Sequence, residues 1–192
     1  MPVSPRERLT IARVVRVNHA GEYGAIRIYR AQIWIASRRY PDIVPILDEM
    51  LRDELEHCDI FRAAMPARNS RPCRVMSLWG NGGLLLGAVT AVMGRKAIWI
   101  CTAAVEKTVH RHLTDQLAFL RDRDPDLCGQ IEAIQVEELS HLHHAEARMG
   151  RMTMMSKALW ACVAAATEMV IYLSTWGDSV RMARDLAHAR RD

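Results

Sequence analysis

Aromatic side chains are scarce, 6% of 192 residues with only two phenylalanines, and long alternations of Val, Ile and Thr are hard to find. The second shortage removes the usual mark of β-strands. Half of the residues are hydrophobic, with Ala, Leu, Met and Arg plentiful, so composition points to an all-α protein. A chain of this length fits one domain, 1–192, and can bury a core without staples. Cysteine is sparse: Cys58, Cys73, Cys101, Cys128 and Cys162 are odd in number, and no Cys-x-x-Cys occurs. That argues against a disulfide framework and a zinc knuckle, and a reducing compartment is the simplest reading.

The N-terminal stretch Met1-Pro2-Val3-Ser4-Pro5-Arg6-Glu7-Arg8 is charged and has no apolar run, so neither a secretory signal nor a transit peptide is expected. The net charge of +4 and a pI near 9.0 are only mildly basic. Such a balance fits a solvated surface or an anionic membrane face. The arginines have no aromatic stripe among them to stack bases, so a nucleic-acid partner is not expected.

Helical patterning is broken at a few clear places. A first helix is expected from Pro5 to about Arg39, ending at Tyr40-Pro41-Asp42, and a second from Ile43 to Met65, before Pro66. These two form a hairpin over about 5–65. A second hairpin is expected over about 97–149, with its break at Asp122-Arg123-Asp124-Pro125 and Gly150 as its C-cap.

Charge is missing altogether from residues 75–94, which are bracketed by Arg74 and by Arg95-Lys96. That length spans a bilayer, but Gly80, Gly82, Gly83 and Gly87 dilute the hydrophobicity and are expected to favour a bend. A second apolar stretch, about 152–176, is interrupted by Lys157 and Glu168, and Trp79, Trp99, Trp160 and Trp176 lie in or near the two. Burial in a soluble core, association in the plane of a membrane and a true span all remain open.

The strongest signal is a repeat. Glu54-Leu55-Glu56-His57 and Glu138-Leu139-Ser140-His141 are two Glu-x-x-His tetrads, each able to present a carboxylate and an imidazole on one helix face. They lie 84 residues apart, and the same shift places Glu22 on Glu106, Arg27 on Arg111, Gln32 on Gln116, Pro41 on Pro125 and Asp42 on Asp126. The chain thus reads as two copies of one helical hairpin. Within each copy the midpoint between the lone Glu and its tetrad falls near residue 39 or 123, at the expected turn. In an antiparallel hairpin, residues equidistant from the turn lie side by side, so packing two such hairpins converges four Glu and two His.

That donor set suits two divalent cations, whose charge balances four carboxylates. Oxygen donors with one imidazole per ion favour iron or manganese over zinc, and ferritin-like bundles use this arrangement. The candidate metal ligands are therefore Glu22, Glu54, His57, Glu106, Glu138 and His141. Asp53, Glu56 and Glu137 are expected to point away from the ligand face toward solvent or Arg, and His143 and His144 to lie at the surface. Glu56 and Glu146 are at best outer candidates, while Asp48 and Glu132 could accept the other N–H of a ligand histidine. His112, six residues past Glu106, either takes part near the pocket or is a partly buried core histidine.

Asn18-His19-Ala20-Gly21-Glu22-Tyr23-Gly24-Ala25, followed by Arg27-Ile28-Tyr29, closely resembles the first-helix motif of the demethoxyubiquinone hydroxylases. The resemblance extends over Glu54-x-x-His57, the Gly/Leu-rich stretch 78–94, Ala104-Val105-Glu106, Glu137-Glu138-x-x-His141 and Ile171-Tyr172-Leu173-Ser174. It implies a ferritin-like di-iron monooxygenase of ubiquinone biosynthesis. Such an enzyme uses O₂ and an external electron donor to hydroxylate a polyprenylated demethoxyubiquinol. By the same resemblance the six residues above hold two iron ions, and His112 serves as a catalytic residue in electron or proton delivery. Arg111 and Leu113 depart from the His and Tyr of some relatives. A lipid quinol needs an apolar route to the metals, for which 75–94 and 152–176 are the candidates. The expected location is the cytoplasmic side of a cell inner membrane, held peripherally. A homo-oligomer or a complex with other biosynthetic enzymes is a possible assembly.

Overall fold

Helix α1 (Pro5–Arg39) begins where Ser4 and Glu7 form a capping box, the Ser4 hydroxyl accepting from Glu7 N and the Glu7 carboxylate accepting from Ser4 N. Pro5 occupies the first turn, where its missing N–H costs nothing. It ends at Tyr40, ahead of Pro41, and after one 3₁₀ turn α2 (Val44–Ala64) runs back alongside. The remaining helices are α3 (Met76–Met93), α4 (Arg95–Leu120), α5 (Pro125–Met149), α6 (Met154–Thr175) and α7 (Asp178–Ala189). The computed structural model describes residues 3–189; positions 1–2 and 190–192 of the expected 1–192 span lie outside it.

The chain is an all-α bundle, as expected. α1 packs along α2 and α4 along α5, and the two hairpins meet through α2–α5 and α1–α4. Asp124 caps α5 by accepting from Leu127 N, and Gly150 ends it with φ +61°. Each Pro-Asp turn is clamped by an arginine from elsewhere. Arg95 binds Asp42 at 2.5 and 2.8 Å, and Arg68 binds Asp124 at 2.7 and 2.8 Å and Asp126 at 2.8 Å.

Two hydrophobic layers organise the interior. One joins Val14, Phe61, Leu113, Leu120, Leu127 and Ile131. The other joins Tyr29, Leu47, Met50, Ile98, Trp99 and Leu142. On each of α1, α2, α4 and α5 the candidate ligands fall between these layers. Both sides of the polar layer are therefore sealed by apolar packing.

α3 lies along α1, α6 lies along α4, and α7 packs on α4 and α6. The expected bend in α3 is absent: the helix is continuous through Gly80, Gly83 and Gly87. These three share one buried face, where a Cβ on Gly83 would fall on the Gly24 carbonyl and one on Gly87 on the Ile28 carbonyl. The glycines set a close approach to α1. The corner into α4 is made instead by Gly94, at φ +118°, a backbone region L side chains rarely adopt.

α3 and α6 are long and apolar enough to cross a membrane, yet only 22% of each apolar window is buried. Neither closes into the core. Leu85, Val89 and Val92 on α3, Tyr172 and Leu173 on α6 and Trp176 at its C-cap are exposed. They cover the α1–α4 side of the bundle, whereas no further helix packs extensively over α2 and α5.

Candidate metal centre

The spacing that placed one Glu per helix opposite a Glu-x-x-His tetrad converges all six residues. Donor atoms of Glu22, Glu54, His57 and Glu138 lie within 4.8 Å of one another, and so do those of Glu54, Glu106, Glu138 and His141. The two sets share Glu54 and Glu138. All six residues are buried, none more than 6% exposed.

Their hydrogen bonding leaves room for a cation. Both carboxylate oxygens of Glu54, Oε2 of Glu138 and Nδ1 of His141 are buried without a partner. Unpartnered buried acceptors are costly, on the order of 1–3 kcal/mol each, and rare without a functional reason. Acceptors on hard oxygen with neutral imidazole are the donors a divalent metal takes. The residues therefore fit a metal site.

The charge pattern agrees. Burial, reinforced by Glu138, pushes the Glu22 carboxyl up to about 7. Burial and the same neighbour push Glu54 and Glu106 well above the usual carboxylate range. Burial acts on Glu138 too, but the imidazoles of His141 and His57 outweigh it and hold its carboxyl well below that range. Burial alone would lower both histidines, yet the carboxylates beside them carry His57 up to about 9 and raise His141. In the metal-free cluster protons supply the neutralisation that cations would bring.

The outer nitrogens of the histidines reveal an arrangement that differs from the expected one. Nε2 of His57 lies 2.7 Å from Glu137 and Nε2 of His141 lies 3.1 Å from Asp53. Asp53 and Glu137 thus face the opposite hairpin's histidine rather than solvent or Arg alone. Each accepts the Nε2 proton and so orients the ring with Nδ1 turned to the carboxylates, the nitrogen that would be freed for a metal on loss of its proton. Asp48, Glu132, Glu56 and Glu146 are exposed, and among the described residues none bonds a candidate ligand histidine. The sign of Asp53 and Glu137 was present in the sequence, since they too are 84 apart. His143 and His144 are exposed, as expected.

Tyr29 also escaped the residue-level reading: its hydroxyl donates to Glu106 Oε1 at 3.2 Å in full burial. It lies seven residues past Glu22, on the same helical face, which was the available signal.

A cavity of about 230 Å³ opens on the centre from the α3–α6 side. Leu78, Trp79 and Leu86 of α3 and Ala166, Val170 and Ile171 of α6 line its walls, and Glu22, Glu54, Glu106 and Glu138 its floor. Asn18 and Gln116, at its side, exchange amide hydrogen bonds of 2.7 and 3.1 Å. The indole N–H of Trp79 is buried there without a partner. His112 also lines this cavity, its Nε2 3.0 Å from Glu168 of α6, which Arg111 pairs as well. Burial, and then Arg111, lower His112 to about 4, so it is neutral at pH 7. Glu168, expected only as an interruption of an apolar run, ties α6 to α4.

The profile of the family described as ubiquinone biosynthesis protein COQ7 matches residues 9–174, which hold all six cluster residues and both apolar helices. The chain belongs to the COQ7 family. A 3-demethoxyubiquinol 3-hydroxylase of Rhodospirillum rubrum is 34% identical over 174 residues, covering 91% of this chain and 82% of that protein. The human mitochondrial NADPH-dependent 3-demethoxyubiquinone 3-hydroxylase is 33% identical over 171 residues, 87% of this chain and 78% of its own length. The yeast mitochondrial 5-demethoxyubiquinone hydroxylase is 34% identical over 121 residues, 63% of this chain and 52% of its own. The COQ7 relatives carry hydroxylase names throughout this set, and the first two alignments reach across both hairpins.

Proposed function

We propose that this chain is an O₂-dependent hydroxylase of ubiquinone biosynthesis that acts on the ring of a polyprenylated demethoxyubiquinol at a di-iron centre. Glu22, Glu54, His57, Glu106, Glu138 and His141 would hold the two ions, Glu54 and Glu138 being common to both donor sets. The observation that carries the reading is the apolar cavity whose walls belong to the exposed helices and whose floor is four carboxylates of the cluster. A cavity of about 150 Å³ already accepts a benzene ring, so this one has room for a quinol head. A non-catalytic iron-binding protein would have no use for it.

When bound, two ferrous ions would activate O₂ so that one oxygen atom enters a ring C–H bond and the other leaves as water, two electrons coming from that C–H bond and two, with two protons, from an outside donor. The chain's own contribution is position and exclusion. The Nε2 bonds to Glu137 and Asp53 hold both imidazoles with Nδ1 turned inward, and Tyr29 restrains Glu106. Apolar walls keep water from the ring, and the free N–H of Trp79 is a donor for a ring oxygen. His112, neutral at pH 7 and with Nε2 engaged by Glu168, lines the pocket and is the residue this reading assigns to proton delivery.

The exposed apolar sides of α3 and α6 support peripheral attachment to a membrane, from which the lipid substrate enters. Five free cysteines suit the cytoplasmic side of an inner membrane. The electron donor is external, and the two hairpins with α3, α6 and α7 work as one unit.

The test is direct. The iron-loaded chain is given demethoxyquinol, a reductant and O₂, and mass spectrometry follows the added oxygen. Hydroxylated ring is expected, and Glu138→Ala abolishes both iron loading and turnover. Bound iron with untouched quinol would overturn the substrate, whereas two irons and full activity in Glu138→Ala would overturn the ligand set.

A further inference from the structure

The metal cluster has a second opening, on the side opposite the apolar cavity. A cavity of about 100 Å³ lies between α2 and α5, the face over which no other helix packs extensively. Its lining is of a different kind: Glu49, Asp53, Glu137, Ser140, His141 and His144 are polar, with Ile46 and Met50 beside them. Glu49 and His144 are exposed at the rim. Asp53 and Glu137 keep 25% and 55% of their side chains exposed while bonding the outer nitrogens of His141 and His57. His141, only 4% exposed, lines this cavity and carries an Nδ1 with no hydrogen-bond partner, 3.7 Å from Glu54 and from Glu138.

We propose that this cavity is the port through which divalent metal ions reach the centre. The inference rests on the di-iron reading above. The other opening is the poorer route for a hydrated cation, because above the carboxylate floor its lining is mostly apolar and offers only the neutral Asn18, Gln116, Thr167 and His112 in place of water. In the α2–α5 cavity the donors come in series. An arriving ion meets Glu49 and His144 at the rim, then Asp53 and Glu137, then the buried imidazole and the unpartnered carboxylate oxygens of Glu54. Each step exchanges water for an oxygen or imidazole ligand suited to Fe(II). The carboxylates of Glu49, Asp53 and Glu137 at this opening also raise the local cation concentration, an effect that accelerates association by about 10–10³-fold. The two openings thus separate traffic: lipid quinol from the membrane side, metal ions from water.

Two substitutions block the port by different means. Glu49→Gln removes charge at the rim, and Ser140→Leu places a branched side chain in the opening; neither position belongs to the donor sets. Anaerobic Fe(II) is mixed with the metal-free full chain in detergent, the reaction is quenched with a chelator, and bound iron is counted against time. Glu49→Gln is expected to slow uptake about 5-fold and to flatten its dependence on ionic strength. Ser140→Leu is expected to slow it about 10-fold at all salt concentrations. Both reach the same final iron content as the wild type. Gly82→Leu, in the apolar opening where a Cβ meets nothing within 4 Å, serves as the reciprocal control and loads at the wild-type rate. Wild-type loading rates in both port variants, or slowed loading in Gly82→Leu, would overturn the port. A wild-type chain that binds no iron would overturn the di-iron reading itself, and is told apart at the first measurement.

Discussion

Glu54→Leu should stabilise the metal-free chain while destroying its capacity for metal. Glu54 is 1% exposed, neither of its oxygens has a partner, and Glu22, Glu106 and Glu138 surround it. A buried acceptor left unpartnered costs about 1–3 kcal/mol, and an apolar side chain of similar size removes that cost. For a chain of this length each kcal/mol moves Tm by about 2–4 °C, so in chelator the variant should melt about 2–12 °C above the wild type. Glu138→Leu should do the opposite, because it strips His57 of its Nδ1 partner at 3.2 Å and removes the buried carboxylate that faces both imidazoles. Adding Fe(II) reverses the first order. A ligand at a hundred times its Kd adds about 2.7 kcal/mol to the wild type alone. Since Glu54 belongs to both donor sets, the variant should retain essentially no bound iron. Differential scanning calorimetry with and without metal, with iron counted by mass spectrometry, reads both effects. A Glu54→Leu chain that melts lower than wild type in chelator, or keeps two ions, would refute the reasoning.

Three other expectations follow from separate contacts. Gly87→Ala drives a methyl group onto the Ile28 carbonyl and should lower stability by about 1–3 kcal/mol, whereas Gly82→Ala, in open space, should gain up to about 1 kcal/mol from helix propensity; thermal melts compare them. Trp79→Phe keeps an aromatic ring, though a smaller one, and deletes the free N–H in the cavity, so KM for the quinol should rise about 5–10-fold with kcat unchanged, as steady-state assays would show. Glu7 is held at about 2 by its bonds to Ser4 N and Arg123, below its ordinary value of 4.5. Its stabilisation is therefore present above pH 4.5 and fades as pH falls toward 2, so Glu7→Gln should melt below wild type at pH 7 and match it near pH 2.

The parts of the fold that were legible in the sequence are those fixed by local chemistry. Ser4, Pro5 and Glu7 announce the start of α1, and Tyr40-Pro41 and Asp124-Pro125 announce the turns, because caps and prolines act within a few residues. The convergence of Glu22, Glu54, His57, Glu106, Glu138 and His141 was legible for another reason: an antiparallel hairpin converts sequence distance from a turn into height along the bundle. Glycine was misread because its two uses look alike in sequence. In α3 it removes side chains so that two backbones can meet, and only the carbonyls of Gly24 and Ile28 across the gap distinguish that from a bend.

Asp53 and Glu137 mark the limit more sharply. Each stands one position before a ligand Glu, so a single-helix view turns it away from the donor face. The partner that claims it belongs to the other hairpin: Asp53 goes to His141 and Glu137 to His57. Periodicity within one helix cannot show a contact across two. The shift of 84 could have, since it maps Asp53 onto Glu137 as faithfully as it maps the ligands. A repeat about a two-fold axis makes every contact between the copies occur twice. An acid preserved at matching positions beside a tetrad is therefore a candidate for reciprocal contact even when its own helix points it outward. The same logic links the outer carboxylates to the port: residues that hold the histidines from outside must stand on the surface that an incoming ion meets first.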